Sequence, residues 1–163
     1  LAPGLALEQF LEAVSELAAS RPKTADLGLA PRKLGRFLAL TQARANPAVG
    51  ELADLCVKEL DRFRAPMTPT DRRRRRPASL TDNQRGLLDR WGYPFVFEEY
   101  RFHMTLTGPL DDVIGEKAKA ALETAMTPVL QQPVAIDALS VVVQRTPGTP
   151  FRLLQRFPLH GCG

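Results

Sequence analysis

The sequence predicts an α+β fold, with mainly antiparallel sheet and helices packed on it. Three patterns carry that expectation. Apolar side chains recur at helical spacing in three long stretches, residues 100–108 alternate strictly between apolar and polar types, and two β-rich runs flank a Thr146-Pro-Gly-Thr-Pro150 turn.

Leu7, Phe10, Leu11, Val14, Leu17 and Ala18 predict an amphipathic helix over 5–20, with Glu8, Glu12 and Glu16 on its other face and Arg21-Pro22 ending it. Two short strands are expected at 24–30 and 34–41, with Pro31 to Lys33 turning the chain between them. Asn46-Pro47 opens a second helix, since Asn caps and Pro suits the first helical position. Its apolar stripe is Leu52, Leu55, Cys56, Leu60 and Phe63. A Pro/Arg-rich connector over 65–80 holds the run Arg72–Arg76. Thr81-Asp-Asn-Gln84 is a capping box for a short helix that Gly92-Tyr93-Pro94 stops. Residues 95–107, rich in aromatic and β-branched types, are expected to be extended. Asp111 or Asp112 caps a long helix with Val113, Ile114, Ala118, Ala121, Leu122 and Met126 on one side. Residues 133–144 and 151–157 then form the closing hairpin. The order is α-β-β-α, connector, β-α-β-β.

Composition narrows the function classes. With 163 residues, 44% hydrophobic and 25% charged, the chain reads as one globular domain. Its net charge of +4 depends on the five arginines at 72–76; without them the 18 carboxylates outnumber the cations. No apolar run is long enough to cross a membrane, and no uncharged stretch resembles a signal peptide. Cys56 and Cys162 are not spaced as a disulfide framework, which points to a reducing cytoplasm. His103 and His160 are the only histidines, so a structural metal site is not expected. Dinucleotide and P-loop glycine patterns do not occur, and no cofactor is expected.

The chemistry is concentrated in Tyr100-Arg-Phe-His-Met-Thr-Leu-Thr-Gly108. Successive strand residues point to opposite faces. Phe102, Met104 and Leu106 should therefore enter the core, while Arg101, His103, Thr105 and Thr107 stand in a row on the other side. Imidazole exchanges protons near neutral pH, a hydroxyl two residues away can hydrogen-bond a phosphoryl oxygen, and a guanidinium can neutralise its charge. The plain alternative is a solvated polar stripe.

His103-Met-Thr105-Leu106 resembles the His-x-Thr-hydrophobic motif of the 2H phosphoesterase superfamily. The wider stretch 88–108, the segment Arg74-Arg-Arg-Pro-Ala-Ser-Leu-Thr81, the strand Gly35-Arg-Phe-Leu-Ala-Leu40 and the ending 151–159 resemble a bacterial branch of unassigned function, often encoded beside phosphonate-degradation genes. The resemblance implies a single bilobal domain over 1–163 with a pseudo-twofold axis, each lobe supplying one His-x-Thr to a shared cleft. It implies a small, often cyclic, phosphodiester substrate and no metal. One His acts as general base on water and the other protonates the leaving oxygen. His103 and Thr105 would be catalytic, with Arg101, Thr107 and Tyr100 as substrate-binding candidates. His160 has no Thr two residues on and reads as a tail residue. A further segment with the second His-x-Thr is therefore expected before Leu1, leaving the first lobe incomplete here.

Other residues have plainer readings. The arginine run is either a solvated connector, an attractor of a phosphorylated ligand, or a weaker candidate for RNA. Tyr93, Phe95, Phe97 and Tyr100 could stack on a base, but are expected as core and cleft wall. At most one of Glu98 and Glu99 can address His103, and either could pair with Arg101. Cys56 is expected as an inert core thiol and Cys162 as an exposed one. The alternative to an enzyme is a binding module for a phosphorylated ligand or RNA.

Overall fold

A two-residue turn organises the first sheet. β1 (Leu29–Leu34) and β2 (Phe37–Gln42) pair antiparallel from Leu34↔Phe37 to Leu29↔Gln42, leaving Gly35-Arg36 as the loop. Gly35 adopts φ 58, open to glycine at little steric cost. The turn is therefore not at Pro31–Lys33 as expected; those residues lie inside β1. Proline is tolerated there because β1 is an edge strand, where a missing N–H breaks no ladder.

The computed structural model describes residues 1–2, 4–146 and 148–160. The remaining elements are α1 (Leu7–Ala19), α2 (Pro47–Leu60), α3 (Pro69–Arg74), α4 (Asp82–Trp91), β3 (His103–Thr105), α5 (Asp112–Leu130), β4 (Ala138–Val143) and β5 (Arg152–Pro158). Among the described residues, β1-β2-β3 form one antiparallel sheet and β4-β5 another. This is the expected α+β class.

Capping sets most helix starts. Asn46 Oδ1 accepts from Ala48 N at 3.1 Å, the Thr81 hydroxyl accepts from Gln84 N at 3.2 Å, and Asp111 Oδ1 accepts from Ile114 N at 2.9 Å. Gly92 ends α4 at φ 75. Within the expected connector, Pro69–Arg74 is helical, with Thr68 as N-cap and Asp71 reaching back to it. The stretch 95–107 is not continuously extended. Phe97–Glu99 is a 3-10 turn, and only His103–Thr105 pairs as a strand. Phe97 takes φ 54, its ring edge-on to Trp91 at 5.0 Å and under Lys58 Nζ at 5.1 Å, so tertiary packing overrides β propensity.

The chain divides into two units. The first holds Leu1–Lys23, Gly50–Tyr100 and the stretch from Asp137 onwards. In it Val14, Leu17 and Ala18 of α1 are buried, as are Phe157 and Leu159, and α1 lies against β4 and β5. Phe10 meets Phe63 edge-on at 5.4 Å, and Leu88 is fully buried.

The second unit holds Thr24–Val49 and Arg101–Ile136. Leu27, Leu29, Leu38, Ala39, Leu40 and Val49 are buried, and α5 packs against β1 and β2. Only part of the expected α5 stripe faces inward. Ala118, Leu122 and Met126 are half-buried, Gly115 is buried, and Val113 and Ile114 are 68% and 54% exposed. The Lys33–Asp112 ion pair at 2.6 Å ties β1 to the start of α5, raising the Lys33 pKa and lowering that of Asp112 through their hydrogen bond.

Candidate functional site

β3 pairs with β2 through Thr41↔His103, Leu40↔Met104 and Ala39↔Thr105. Directly opposed residues share a face of the sheet. His103 thus shares a face with Thr41, and Thr105 with Ala39 and, one strand further, Arg32. His103, Thr105 and Arg32 are exposed. The His103 ring lies 5.9 Å from the Phe37 ring at 46°. Ala39, between Phe37 and Thr41 on that face, leaves room for the two rings to approach.

His103 Nδ1 lies 2.8 Å from the carbonyl oxygen of Arg101. A carbonyl only accepts, so Nδ1 must carry the proton in that hydrogen bond. In the neutral ring Nε2 is then the unprotonated nitrogen, free to accept a proton.

The row expected from alternation is shorter than four residues. Arg101 precedes the strand and is exposed, with no ion pair among the described residues. Thr107 follows it and serves the backbone. Its hydroxyl accepts from Leu38 N at 3.0 Å and donates to Gly108 O at 2.9 Å, while Leu106 N donates to Leu38 O at 2.8 Å. The apolar side also differs from expectation: Phe102 and Leu106 are half-buried, and Met104 is 42% exposed on the edge strand. Tyr100 belongs to the first unit, where it is half-buried; burial raises its phenol pKa, and Cys56 adds to the shift.

Glu98 and Glu99 are held by side-chain amides. Asn83 Nδ2 donates to Glu98 at 2.9 Å and Glu99 at 3.2 Å, and Gln84 Nε2 donates to Glu99 at 2.9 Å. The Asn83 bond lowers the Glu98 pKa. Cys56 is half-buried and its thiol pKa is raised by burial. His160 is exposed, its backbone N–H 3.4 Å from Ala18 O. Cys162 lies outside the described residues. Among the described residues, no three His, Cys, Asp or Glu side chains gather as a metal site.

Sequence reasoning missed two residues on the sheet face of His103 and Thr105. Arg32 is not in the expected turn: the ladders put it in line with Thr105. Thr41 sits across from His103, its hydroxyl buried without a hydrogen-bond partner among the described residues. Recognising Gly35-Arg36 as a two-residue hairpin loop would have placed Arg32 opposite Ala39 in β1–β2, whereas the pairing of Thr41 with His103 depends on the long-range β2–β3 register.

Comparison with known proteins gives a family and a set of longer relatives. The model of a family described as "Protein of unknown function (DUF1045)" matches residues 1–152. A protein of Janthinobacterium sp. (strain Marseille) named ribose 1,5-bisphosphate phosphokinase PhnN is 44% identical over 136 residues, covering 81% of this chain and 30% of that protein. One of the same name from Laribacter hongkongensis (strain HLHK9) is 36% identical over 148 residues, covering 91% of this chain and 34% of that protein. The chain thus spans about a third of the length of these curated relatives. No solved structure matches.

Proposed function

The chain belongs to the DUF1045 family, and we propose for it a 2H-type phosphodiesterase chemistry centred on His103, acting on a small or cyclic phosphodiester. The single observation that carries the reading is the His103 Nδ1 contact with Arg101 O, which leaves Nε2 of this exposed edge-strand residue as a proton acceptor on the same sheet face as Thr105.

In the reaction, Nε2 takes a proton from water as the water oxygen attacks phosphorus. The phosphorus–oxygen bond to the leaving alkoxide breaks, and that oxygen gains a proton. The Thr105 hydroxyl donates to a non-bridging phosphoryl oxygen, and the guanidinium of Arg101 offsets the growing negative charge. The resemblance assigns protonation of the leaving oxygen to a second His-x-Thr outside the 163 residues. Neither histidine needs a metal for this exchange. Tyr100 and Thr107 remain substrate-side candidates from the resemblance; Thr107 does so with its hydroxyl already committed to the backbone.

A role in phosphonate metabolism fits the family resemblance and the PhnN names of the relatives, with a phosphorylated ribose derivative as the substrate type to try first. Among the described residues, no helix is long and apolar enough to cross a membrane, and a cytoplasmic setting belongs to the same proposal.

The test is a panel of cyclic nucleotides and cyclic ribose phosphates assayed with the full-length protein, wild-type and Thr105→Val. The reading expects hydrolysis of at least one, with the valine variant slower by about 10- to 100-fold, as expected for a lost hydrogen bond to a charged group. No turnover of any member, or a valine variant as fast as wild type, contradicts it.

A further inference from the structure

The first unit carries a second concentration of chemistry, in which the fold brings together what the sequence keeps apart. Arg72 is paired with Asp89, and Asp71 is held by the Thr68 hydroxyl at 2.6 Å. Arg73, Arg74, Arg75 and Arg76 are exposed, and none has an ion-pair partner among the described residues. Their backbone is nevertheless ordered by hydrogen bonds. Arg75 N donates to Arg72 O at 3.1 Å, Arg76 N to Arg73 O at 3.0 Å, and Ser79 N to Arg76 O at 3.0 Å.

Aromatic rings lie beside these charges. The Arg75 guanidinium sits 4.8 Å from the centre of the Tyr93 ring, and Tyr93 meets Phe95 edge-on at 5.7 Å. Both rings are unusually open, Tyr93 being 41% and Phe95 43% exposed. The left-handed Gly92 ends α4 and turns the chain into Tyr93. Gly92 also borders a pocket of about 340 Å³ shared with Met67, Asp71, Arg74 and Arg75.

We propose that this arginine–aromatic surface binds single-stranded nucleic acid. Successive helical residues are separated by about 100°, so the side chains of Arg73 and Arg74 leave α3 in different directions and spread the charge along the surface. A chain of regularly spaced phosphates can engage them in turn. Partly exposed aromatic rings beside guanidinia that lack ion-pair partners among the described residues favour unstacked bases, which a duplex withholds and an acidic peptide lacks. This inference does not depend on His103 or on turnover.

Fluorescence anisotropy with a single-stranded uridine oligonucleotide of about 15 nucleotides tests it directly on the intact chain. The surface predicts binding whose logarithm falls with log salt at a slope of about −2 to −3, for up to four phosphate contacts at about −0.7 each. The pair Arg74→Glu with Arg76→Glu should weaken binding by about tenfold or more at low salt. Tyr93→Ala should weaken it by at least about fivefold. The pair Lys23→Glu with Lys117→Glu, which changes net charge equally at exposed sites elsewhere, should leave affinity within about twofold. Absence of binding at low salt, equal weakening by the two charge-reversal pairs, or a duplex bound as tightly as the single strand would overturn the proposal.

Discussion

The Nδ1 of His103 hydrogen-bonds the carbonyl oxygen of Arg101 at 2.8 Å. The carbonyl lacks a proton to give, so this contact selects one tautomer of the neutral ring. Nitrogen-15 NMR of the neutral imidazole should show a protonated Nδ1 and a bare Nε2. A predominantly Nε2–H ring would remove the proposed base from solvent and contradict the assignment.

Thr105 and Thr107 should separate cleanly under substitution, although both are threonines two residues apart. Thr107 satisfies Leu38 N, and Leu38 is 1% exposed. Thr107→Val keeps the shape and removes the acceptor, so chemical denaturation should show a loss of about 1–3 kcal/mol from the unsatisfied amide. Thr105 is exposed and makes no such bond, so Thr105→Val should unfold within about 0.5 kcal/mol of wild type. Equal stability losses would mean that the two hydroxyls share one role.

Asp26 staples two distant segments of the second unit. Its carboxylate accepts from Val134 N at 2.9 Å and Gly28 N at 3.2 Å. The Val134 bond, then the Gly28 bond, lower its pKa below 3.8. A depressed carboxylate pKa contributes stability above its unfolded-state value, and that contribution disappears as pH falls through the folded-state value. Asp26→Asn should therefore lower Tm near neutral pH, and the gap from wild type should close under strongly acidic conditions. A gap that widens on acidification would contradict the staple.

Gly35 should resist replacement for a backbone reason. No heavy atom lies within 4 Å of a Cβ built there, so space is not limiting, yet its φ of 58 is one that other residues adopt at a cost. Gly35→Ala should destabilise the protein by about 1 kcal/mol in denaturant unfolding. An unchanged or raised midpoint would show that the β1–β2 turn relaxes without penalty.

Local rules read the helices well because caps are short-range. Asn46-Pro47, the Thr81 box, Asp111 and the Gly92 stop all act within four residues of themselves, and each does what the sequence suggests. The Thr68-Pro-Thr-Asp71 start of α3 obeys the same rules, inside a stretch whose Pro/Arg-rich composition marks it as a connector. Failures came where tertiary packing decides. Phe97 is bent into a positive-φ turn between Trp91 and Lys58, which no alternation pattern can reveal.

The candidate site was legible in part. His103 and Thr105 share one face of the sheet and both are exposed, as alternation implies. Thr107 shares the alternation but not the role, because the strand ends at Thr105 and the next turns serve Leu38. Arg32 and the Arg75–Tyr93 contact depend on register and chain reversal, which separate residues in sequence and join them in space.

The central claim is that His103 moves the proton. Its most direct test is the rate at which the full-length protein and its His103→Ala variant hydrolyse whichever cyclic phosphodiester the wild type accepts, followed by phosphorus NMR. The account predicts that the alanine variant stays folded and loses about 10²- to 10⁴-fold in rate. A folded variant that hydrolyses the same substrate at the wild-type rate would contradict it.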